Sequence, residues 1–445
     1  PWVTAMSAEA SDMSGWLLMG LPGVAYWCGI ADAAWTAIGL AVGTYINWLI
    51  ISKRLRRYSE KAGNSITLPE FFSNRFHENG KLVMTISALF ILIFFTVYAA
   101  SCLVTCGKLF STLFGLDYVP MMIVGAVFVL VYTIIGGFLA ESVSDFMQAI
   151  VMIVALVVIV ITGTVTAGGL SSVIENAGSI PGFLEFFGIA SPVTVDGVQQ
   201  SVNGVPQFGA AGSYGFVAII STLAWGLGYF GMPQVLLRFM AIRSEHELTR
   251  SRRIATVWVL ISLFVAVFIG VVGRVLYPDA LTTDSASENV FILLATNLLP
   301  PLLAGLVMAG ILAATISSSD SYLLIAASAF SKNIYQGIFR RKATDRQVLL
   351  VSRVTLLVIT LIAVVIALDE KSVIFTLVSF AWAGFGAAFG PVVLLSLFWK
   401  RFTYKGAIAG IVAGAAVDIL WLKLFASTGL YEIIPGFIAC AIFAV

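Results

Sequence analysis

The feature that most constrains this chain is a succession of long apolar segments separated by short polar turns. Hydrophobic residues make up 60% of the 445 residues and charged residues only 11%, more apolar surface than a soluble domain can bury. An apolar helix of about 20 residues spans the hydrocarbon of a bilayer. The sequence therefore predicts an all-α membrane protein with twelve spans, at 4–28, 31–51, 82–107, 119–137, 145–168, 214–240, 254–277, 299–330, 349–368, 373–399, 406–425 and 431–445.

Both ends of the chain look cut. The sequence begins with Pro1 rather than Met, and its last apolar run stops at Val445. It carries no signal-peptide pattern. We expect both natural termini to lie outside this sequence and the twelfth span to be incomplete.

Positive charge is divided unequally between the turns. Of the 25 Lys and Arg residues, 21 fall on one side of an alternating topology, in the stretches 53–81, 238–253, 332–353 and 400–405. A short turn expected at 138–144, on the same side, has no basic residue. The longest turn, 169–213, lies on the other side and also has none. Because basic loops are retained in the cytoplasm, we predict that the basic side is cytoplasmic.

The order of the spans permits an internal symmetry. Spans one to five and six to ten form two sets of five, and an odd number per set gives the sets opposite orientations. Helix-breaking residues lie in the first member of each set, at 11–15 and 20–23 and again at 225–233. Paired breaks of this kind mark the binding site in inverted-repeat transporters. We predict one membrane domain over 1–445, with repeats at about 4–168 and 214–399 and extra helices at 406–445.

Asp12 lies inside the first span, where an ionisable side chain is costly unless it is paired or hydrated. It could serve an ion path, or it could accept hydrogen bonds from loosened backbone as a structural carboxylate. Glu9, one turn earlier, is expected to face the cytoplasmic vestibule and is given no role.

The eighth span carries a hydroxyl-rich stretch. Ala314, Ser317 and Ser318 share one helix face, and sodium prefers oxygen ligands. Two carbonyls at the first break, those of Ala10 and Met13, would complete a set of five. The alternative is that the serines permit close helix packing and bond back to their own helix.

Trp225, Tyr229 and Pro233 recur at intervals of four residues, so they share a face of the sixth span. With glycines between them, they could line a cavity for an aliphatic or cationic solute, or they could be ordinary packing residues. Tyr98 and Trp16 are further candidates of the same kind.

The sequence offers few residues that could take part in catalysis. The two histidines, His77 and His246, lie in charged turns, and the four cysteines lie in apolar segments without metal-ligand spacing. We therefore predict a transporter and not an enzyme. Its expected surroundings are the lipid bilayer, with no nucleic acid and no obligatory protein partner.

At these residues the sequence resembles the sodium/solute symporter family, over essentially its whole length. The resemblance is carried by the stretches 11–23, 43–48, 132–148, 225–233, 238–241, 379–396 and 429–437. It implies the five-plus-five inverted-repeat (LeuT-type) fold with flanking helices, in a bacterial cytoplasmic membrane. It also implies alternating access that couples Na+ influx to uptake of a small solute, with proline the expected substrate.

The resemblance further implies roles for the candidate residues. One sodium ion would be held by Ala10, Met13, Ala314, Ser317 and Ser318, with Asp12 near it. Proline would contact Trp16, Tyr98, Trp225, Tyr229 and Pro233. A carboxylate framing a second sodium site in some relatives matches Asp145, which together with Ser317 and Ser321 could bind another ion, so the ion-to-solute ratio stays open.

We expect the substrate carboxylate to meet backbone N–H groups at a half-helix end near Ser14 and Gly15, because helix N-termini attract anions. Two other functions remain open. One is sodium symport of another solute, such as a sugar, sialate or pantothenate. The other is a transporter-like sensor domain of a membrane signalling protein.

Overall fold

A computed structural model describes residues 1–135 and 138–445, with side chains for all of these except 138–140. Within that part of the chain, ten helical segments are long and apolar enough to cross a membrane, and Trp16–Cys28 and Ile433–Ala444 are shorter apolar helices. The first half contains α1 (Trp2–Asp12), α2 (Leu21–Cys28), α3 (Ile30–Ile46), α4 (Ser52–Lys61), α5 (Leu68–Arg75), α6 (Leu82–Phe114), α7 (Tyr118–Ile135) and α8 (Phe138–Thr166).

The second half follows a long loop that starts with α9 (Leu170–Gly178). It contains α10 (Phe216–Leu223), α11 (Trp225–Gly228), α12 (Pro233–Ala241), α13 (Glu247–Leu276), α14 (Asp284–Ser287), α15 (Val290–Leu298), α16 (Pro301–Ser328), α17 (Asp345–Ile366), α18 (Ile374–Phe398), α19 (Tyr404–Leu424) and α20 (Ile433–Ala444). Three π-helical turns, at Trp16–Gly20, Asn47–Ile51 and Ala329–Phe339, connect successive helices, and a 3₁₀ turn covers Ala426–Thr428.

Local sequence fixes several helix starts in the loops. The side chains of Thr67, Thr283, Thr344 and Thr403 each accept a hydrogen bond from the backbone N–H three residues later. Such N-caps satisfy a backbone donor that has no partner inside the helix. At the other end of α6, Gly115 takes the left-handed conformation that ends a helix.

The turn expected at 138–144 is wrong, because α8 already begins at Phe138. Glu141, within the expected turn, and Asp145, at the start of the expected fifth span, are both buried inside the bundle. Glu141 and Asp145 accept hydrogen bonds from the Arg238 guanidinium at 2.7 and 3.1 Å. Since this ion pair compensates both carboxylates, the helix can continue through them. Residues 136–137, at the end of the expected fourth span and within the 132–148 stretch, lie outside the described residues.

The long loop holds structure that the sequence analysis did not predict. Three short antiparallel strand pairs join β1 (Gly188–Ile189) to β6 (Gly212–Ser213), β2 (Thr194–Val195) to β3 (Val198–Gln199), and β4 (Ser201–Val202) to β5 (Val205–Pro206). The two tight turns are Asp-Gly and Asn-Gly pairs with positive φ at both residues, the preferred residues of type I′ hairpins. These two dipeptides are the sequence signal for the hairpins, and the sequence analysis missed it.

The two breaks predicted from the sequence are present. The first apolar span stops at Asp12 and resumes in the π turn before α2, whereas 20–23 stays helical. The sixth span is interrupted between α11 and α12. The broken spans are held among α3, α8, α13, α16 and α18. Their surroundings are close-packed: a Cβ built on Gly43 would lie 2.4 Å from the Gly226 Cα.

Candidate functional site

The hydroxyl-rich stretch of α16 crosses α1 just before its break. The Ser317 hydroxyl donates to the Ala10 carbonyl at 2.9 Å and to the Ala314 carbonyl at 3.1 Å. The Ser318 hydroxyl donates to the same Ala10 carbonyl at 3.2 Å. All these residues are buried. Four of the five predicted sodium ligands are therefore together, and their chemistry fits a hard cation because every donor atom is oxygen.

Met13 is the fifth predicted ligand, and it begins the break itself. Its backbone leaves the helical region, with φ −88° and ψ 77°, and its sulfur accepts a hydrogen bond from Ser262 at 3.6 Å. None of the hydrogen bonds among the described residues joins its carbonyl to the two serines. The distorted backbone does leave that carbonyl outside the regular helical ladder.

Asp12 connects the two broken spans. Its Oδ2 accepts a hydrogen bond from the Tyr229 hydroxyl at 2.8 Å, and its Oδ1 accepts one from the Gln234 amide at 3.3 Å. The Tyr98 hydroxyl donates to its backbone carbonyl at 3.5 Å. Gln234 was missed by the sequence analysis. The sequence feature that could have identified Gln234 is an amide side chain inside an apolar span, next to Pro233 at the start of α12.

The predicted aromatic residues divide into two groups. Trp225 has four neighbouring rings, with centroids 5.0–6.1 Å away, in Trp16, Phe375, Trp382 and Tyr431. The Tyr229 ring meets Trp382 edge-on at 5.0 Å. Tyr98 instead stacks on Tyr322 at 4.2 Å. The sequence analysis did not single out Phe375, Trp382, Tyr431 or Tyr322, since they come from distant helices.

Ser14 and Gly15 lie where the second half of the first span begins. Ser14 is buried, and its hydroxyl accepts a hydrogen bond from the Trp16 N–H at 3.5 Å. A Cβ on Gly15 would come within 2.5 Å of the Thr105 side chain, so α6 packs directly against the break. A larger residue there would have to displace Thr105.

Asp145 and Ser321 are brought together, but around an arginine. The Arg238 guanidinium donates to Asp145 Oδ2 at 3.1 Å and to the Ser321 hydroxyl at 2.9 Å. Ser321 in turn donates to Glu141, and Ser7 donates to Asp145 at 2.8 Å. Arg238 therefore supplies the positive charge beside the residues that were predicted to frame a second sodium site.

A cavity of about 760 Å³ opens on the side that carries the basic turns. Its inner end is lined by Arg238 and Glu141, and its rim includes Arg56, Arg243 and Lys332. The charged cluster around Arg238, which includes Ser321, thus forms part of the wall of this cavity.

Comparisons with known proteins identify the family of this chain. A model of the sodium:solute symporter family matches residues 1–414. The osmoregulated proline transporter OpuE of Bacillus subtilis is 41% identical over 98% of this chain and 85% of its own length. The high-affinity proline transporter PutP of B. subtilis is 43% identical over 99% and 88%, and the sodium/proline symporter of Escherichia coli is 42% identical over 98% and 83%.

Two solved structures share the fold. A Na+-coupled sialic acid symporter in a substrate-bound outward-open state superposes with a TM-score of 0.77 at 19% identity, over 100% of this chain and 88% of that one. Mhp1, a nucleobase-cation-symport-1 family transporter, gives 0.54 at 13% identity, over 100% and 91%. The predicted five-plus-five membrane fold with flanking helices is confirmed.

Proposed function

The chain belongs to the sodium:solute symporter family, and from this membership we propose that it imports proline together with sodium. Membership also confirms three predictions made from the sequence: the family itself, sodium as the coupling ion, and a transporter rather than an enzyme. The protein is a multi-pass membrane protein with a small-molecule substrate. Proline is the substrate named for its relatives.

The observation that carries the proposal is the convergence of Ser317 and Ser318 on the Ala10 carbonyl, at 2.9 and 3.2 Å. We propose that these oxygens, with the carbonyls of Ala314 and Met13, bind the coupling sodium ion. The ion would lie between α1 and α16, where the two serine hydroxyls now donate hydrogen bonds to the Ala10 carbonyl. Asp12, two residues after Ala10, contributes negative charge close to this position.

We propose that the substrate binds in the space between the two breaks. Trp16, Trp225 and Tyr229 offer flat apolar faces suited to a pyrrolidine ring, with Pro233 and Tyr98 beside Tyr229 and Asp12. The substrate carboxylate would meet backbone N–H groups near Ser14 and Gly15, where a half-helix begins. The ring contacts of Trp225 and the tight fit of Gly15 on Thr105 support a small, compact substrate.

For the transport cycle we propose alternating access between two repeats, at about 4–168 and 214–399. Asp12 accepts hydrogen bonds from Tyr229, directly after α11, and from Gln234 in α12, so sodium binding at α1 would be transmitted directly to α11 and α12. We further propose that the basic turns face the cytoplasm of a bacterial cell. The cavity on that side would then be the inner exit.

The test is uptake of labelled proline into proteoliposomes with an imposed sodium gradient. Ser317→Ala should raise the sodium concentration for half-maximal uptake by about tenfold or more, since an oxygen ligand is lost. Ser319→Ala is the matched control, because that hydroxyl bonds back to Ile316 in its own helix. Uptake that ignores sodium, or an unchanged sodium dependence in Ser317→Ala, would refute the coupling site. Unlabelled sugar, sialate and pantothenate should not compete.

A further inference from the structure

Glu9 is a second buried carboxylate on α1, one turn before Asp12. It was expected to face the cytoplasmic vestibule, and that expectation is wrong, since Glu9 is only 1% exposed. The Trp48 indole N–H donates to its Oε1 at 3.1 Å. Its Oε2 is buried and has no hydrogen-bond partner among the described residues. One of the two carboxylate oxygens of Glu9 is therefore buried in the membrane domain without a hydrogen bond from the described residues.

Two further residues with unsatisfied side-chain oxygens are connected to this face of α1, one by a hydrogen bond and one as the sequence neighbour of Trp48. The Gln234 amide nitrogen is fixed on Asp12 at 3.3 Å, so its Oε1, which lacks a partner among the described residues, is held beside the acidic face of α1. Asn47, next to Trp48 in a π-helical turn, is fully buried with neither amide atom bonded. Single π-helical turns inside longer helices are frequent at functional sites.

A cation would balance the charge of these carboxylates when they are ionised. Glu9 and Asp12 are both buried, and none of the ion pairs within the described residues includes either. A sodium ion on the serine side of α1 compensates one negative charge. The other would remain uncompensated, and a lone buried charge is very costly. Amide and carboxylate oxygens are the ligands that a hard cation prefers.

We propose that Glu9 binds a second sodium ion, with the side-chain oxygens of Asn47 and Gln234 as further ligands. This site lies between α1, the π turn after α3 and the start of α12, whereas the Ser317–Ser318 site lies between α1 and α16. It is distinct from the Asp145–Ser321 cluster, where Arg238 already supplies the positive charge. The inference deepens the proposed function, since it sets how many ions accompany each solute molecule.

Equilibrium binding of radioactive sodium to the purified chain in detergent, without proline, counts the sites directly. We expect about two ions per chain for the unmodified protein and about one for Glu9→Gln, which keeps the shape and removes the charge. Glu245→Gln is the matched control and should keep both sodium ions. Glu245 is partly exposed and lies outside the proposed site, where it pairs with Arg57, which lowers its pKa. One ion in the unmodified chain, or two in Glu9→Gln, overturns the inference.

Proline accumulation gives a second readout. Each coupled ion multiplies the accumulation limit by the sodium gradient, so under a tenfold gradient Glu9→Gln should accumulate roughly tenfold less at steady state. If Glu9→Gln does not fold, Gln234→Met is the second variant. It keeps the Glu9 carboxylate and should weaken the binding of one of the two sodium ions. Unchanged binding of both ions in Gln234→Met counts against the site. Binding of two ions without proline uptake would reject proline as the substrate and leave the second site standing.

Discussion

At the scale of single residues, Asp12 links the proposed cation site to the second broken span. Its carboxylate accepts hydrogen bonds from Tyr229 and Gln234, and the preceding backbone offers the Ala10 carbonyl to the serines of α16. A carboxylate placed in this way is oriented by neutral donors rather than neutralised by a salt bridge. Its negative charge is therefore available to an ion bound beside it.

Tyr229→Phe should weaken sodium binding while keeping the aromatic packing. It removes the hydroxyl that donates to Asp12 Oδ2 and leaves the ring against Trp382. Because hydrogen bonds to charged groups contribute about 1.5–3 kcal/mol, we expect the sodium concentration for half-maximal proline uptake to rise by about tenfold.

Tyr118→Phe provides the control for this substitution. Its hydroxyl donates to the Ala367 carbonyl at 2.8 Å, on a different part of the bundle, so sodium dependence should stay the same. Equal sodium dependence in Tyr229→Phe and the unmodified chain would mean that Asp12 is not coupled to the second break.

At the scale of elements, the two broken spans are positioned by close helix contacts at glycines. A Cβ on Gly226 would lie 2.4 Å from the Gly39 carbonyl oxygen, and one on Gly228 would overlap the Trp382 indole. Small residues let helix backbones approach in membranes. Here they bring α11 against α3 and α18, and that approach presents Trp225 and Tyr229 to the first break.

Gly226→Ala should destabilise the fold, because the added methyl group cannot fit against α3. Overpacking of this kind costs about 1–3 kcal/mol, and we expect a lower thermal unfolding midpoint in detergent together with reduced uptake. Gly305→Ala is the matched control: it lies in α16 with open space around its Cβ position, and helix propensity favours alanine there. A midpoint for Gly226→Ala equal to that of the control would show that the close contact is unimportant.

At the scale of the whole molecule, charge and cavities differ between the two faces. The face with the basic turns opens into the cavity that ends at Arg238. The opposite face carries the long loop, which is fixed to the bundle by the buried Arg274 donating to Gln199 at 2.7 Å. If the basic turns are cytoplasmic, the cavity is on the inner side and the loop is outside.

Cysteine labelling in intact cells tests this orientation. In a background with Cys28→Ser, the other three native thiols are buried. Glu60→Cys, at the exposed end of α4 in the basic stretch 53–81, should react with an impermeant maleimide only after the cells are broken. Val202→Cys, in the long loop and 58% exposed, should react in intact cells. The reverse pattern would invert the proposed topology.

Much of this architecture follows from local sequence. The apolar spans, the breaks at 11–15 and 225–233, and the shared face of Ala314, Ser317 and Ser318 are all properties of short stretches. The part of α8 before Asp145, which includes Glu141, could not be predicted in this way, because it depends on Arg238, which is 97 residues from Glu141 along the chain. The four rings around Trp225 could not be predicted for the same reason, since they come from three separate segments: the first break, α18 and the stretch before α20.

The sequence by itself determined that the chain spans a membrane, which family it belongs to and which residues break its first and sixth spans, because apolar length, helix-breaking residues and motif spacing are encoded along the chain. The tertiary structure alone decided which buried charges are compensated. Arg238 reaches Asp145, whereas among the described residues only the Trp48 indole N–H donates to the Glu9 carboxylate. Compensation depends on distances between side chains of different helices, and the spacing of residues along one helix does not contain those distances.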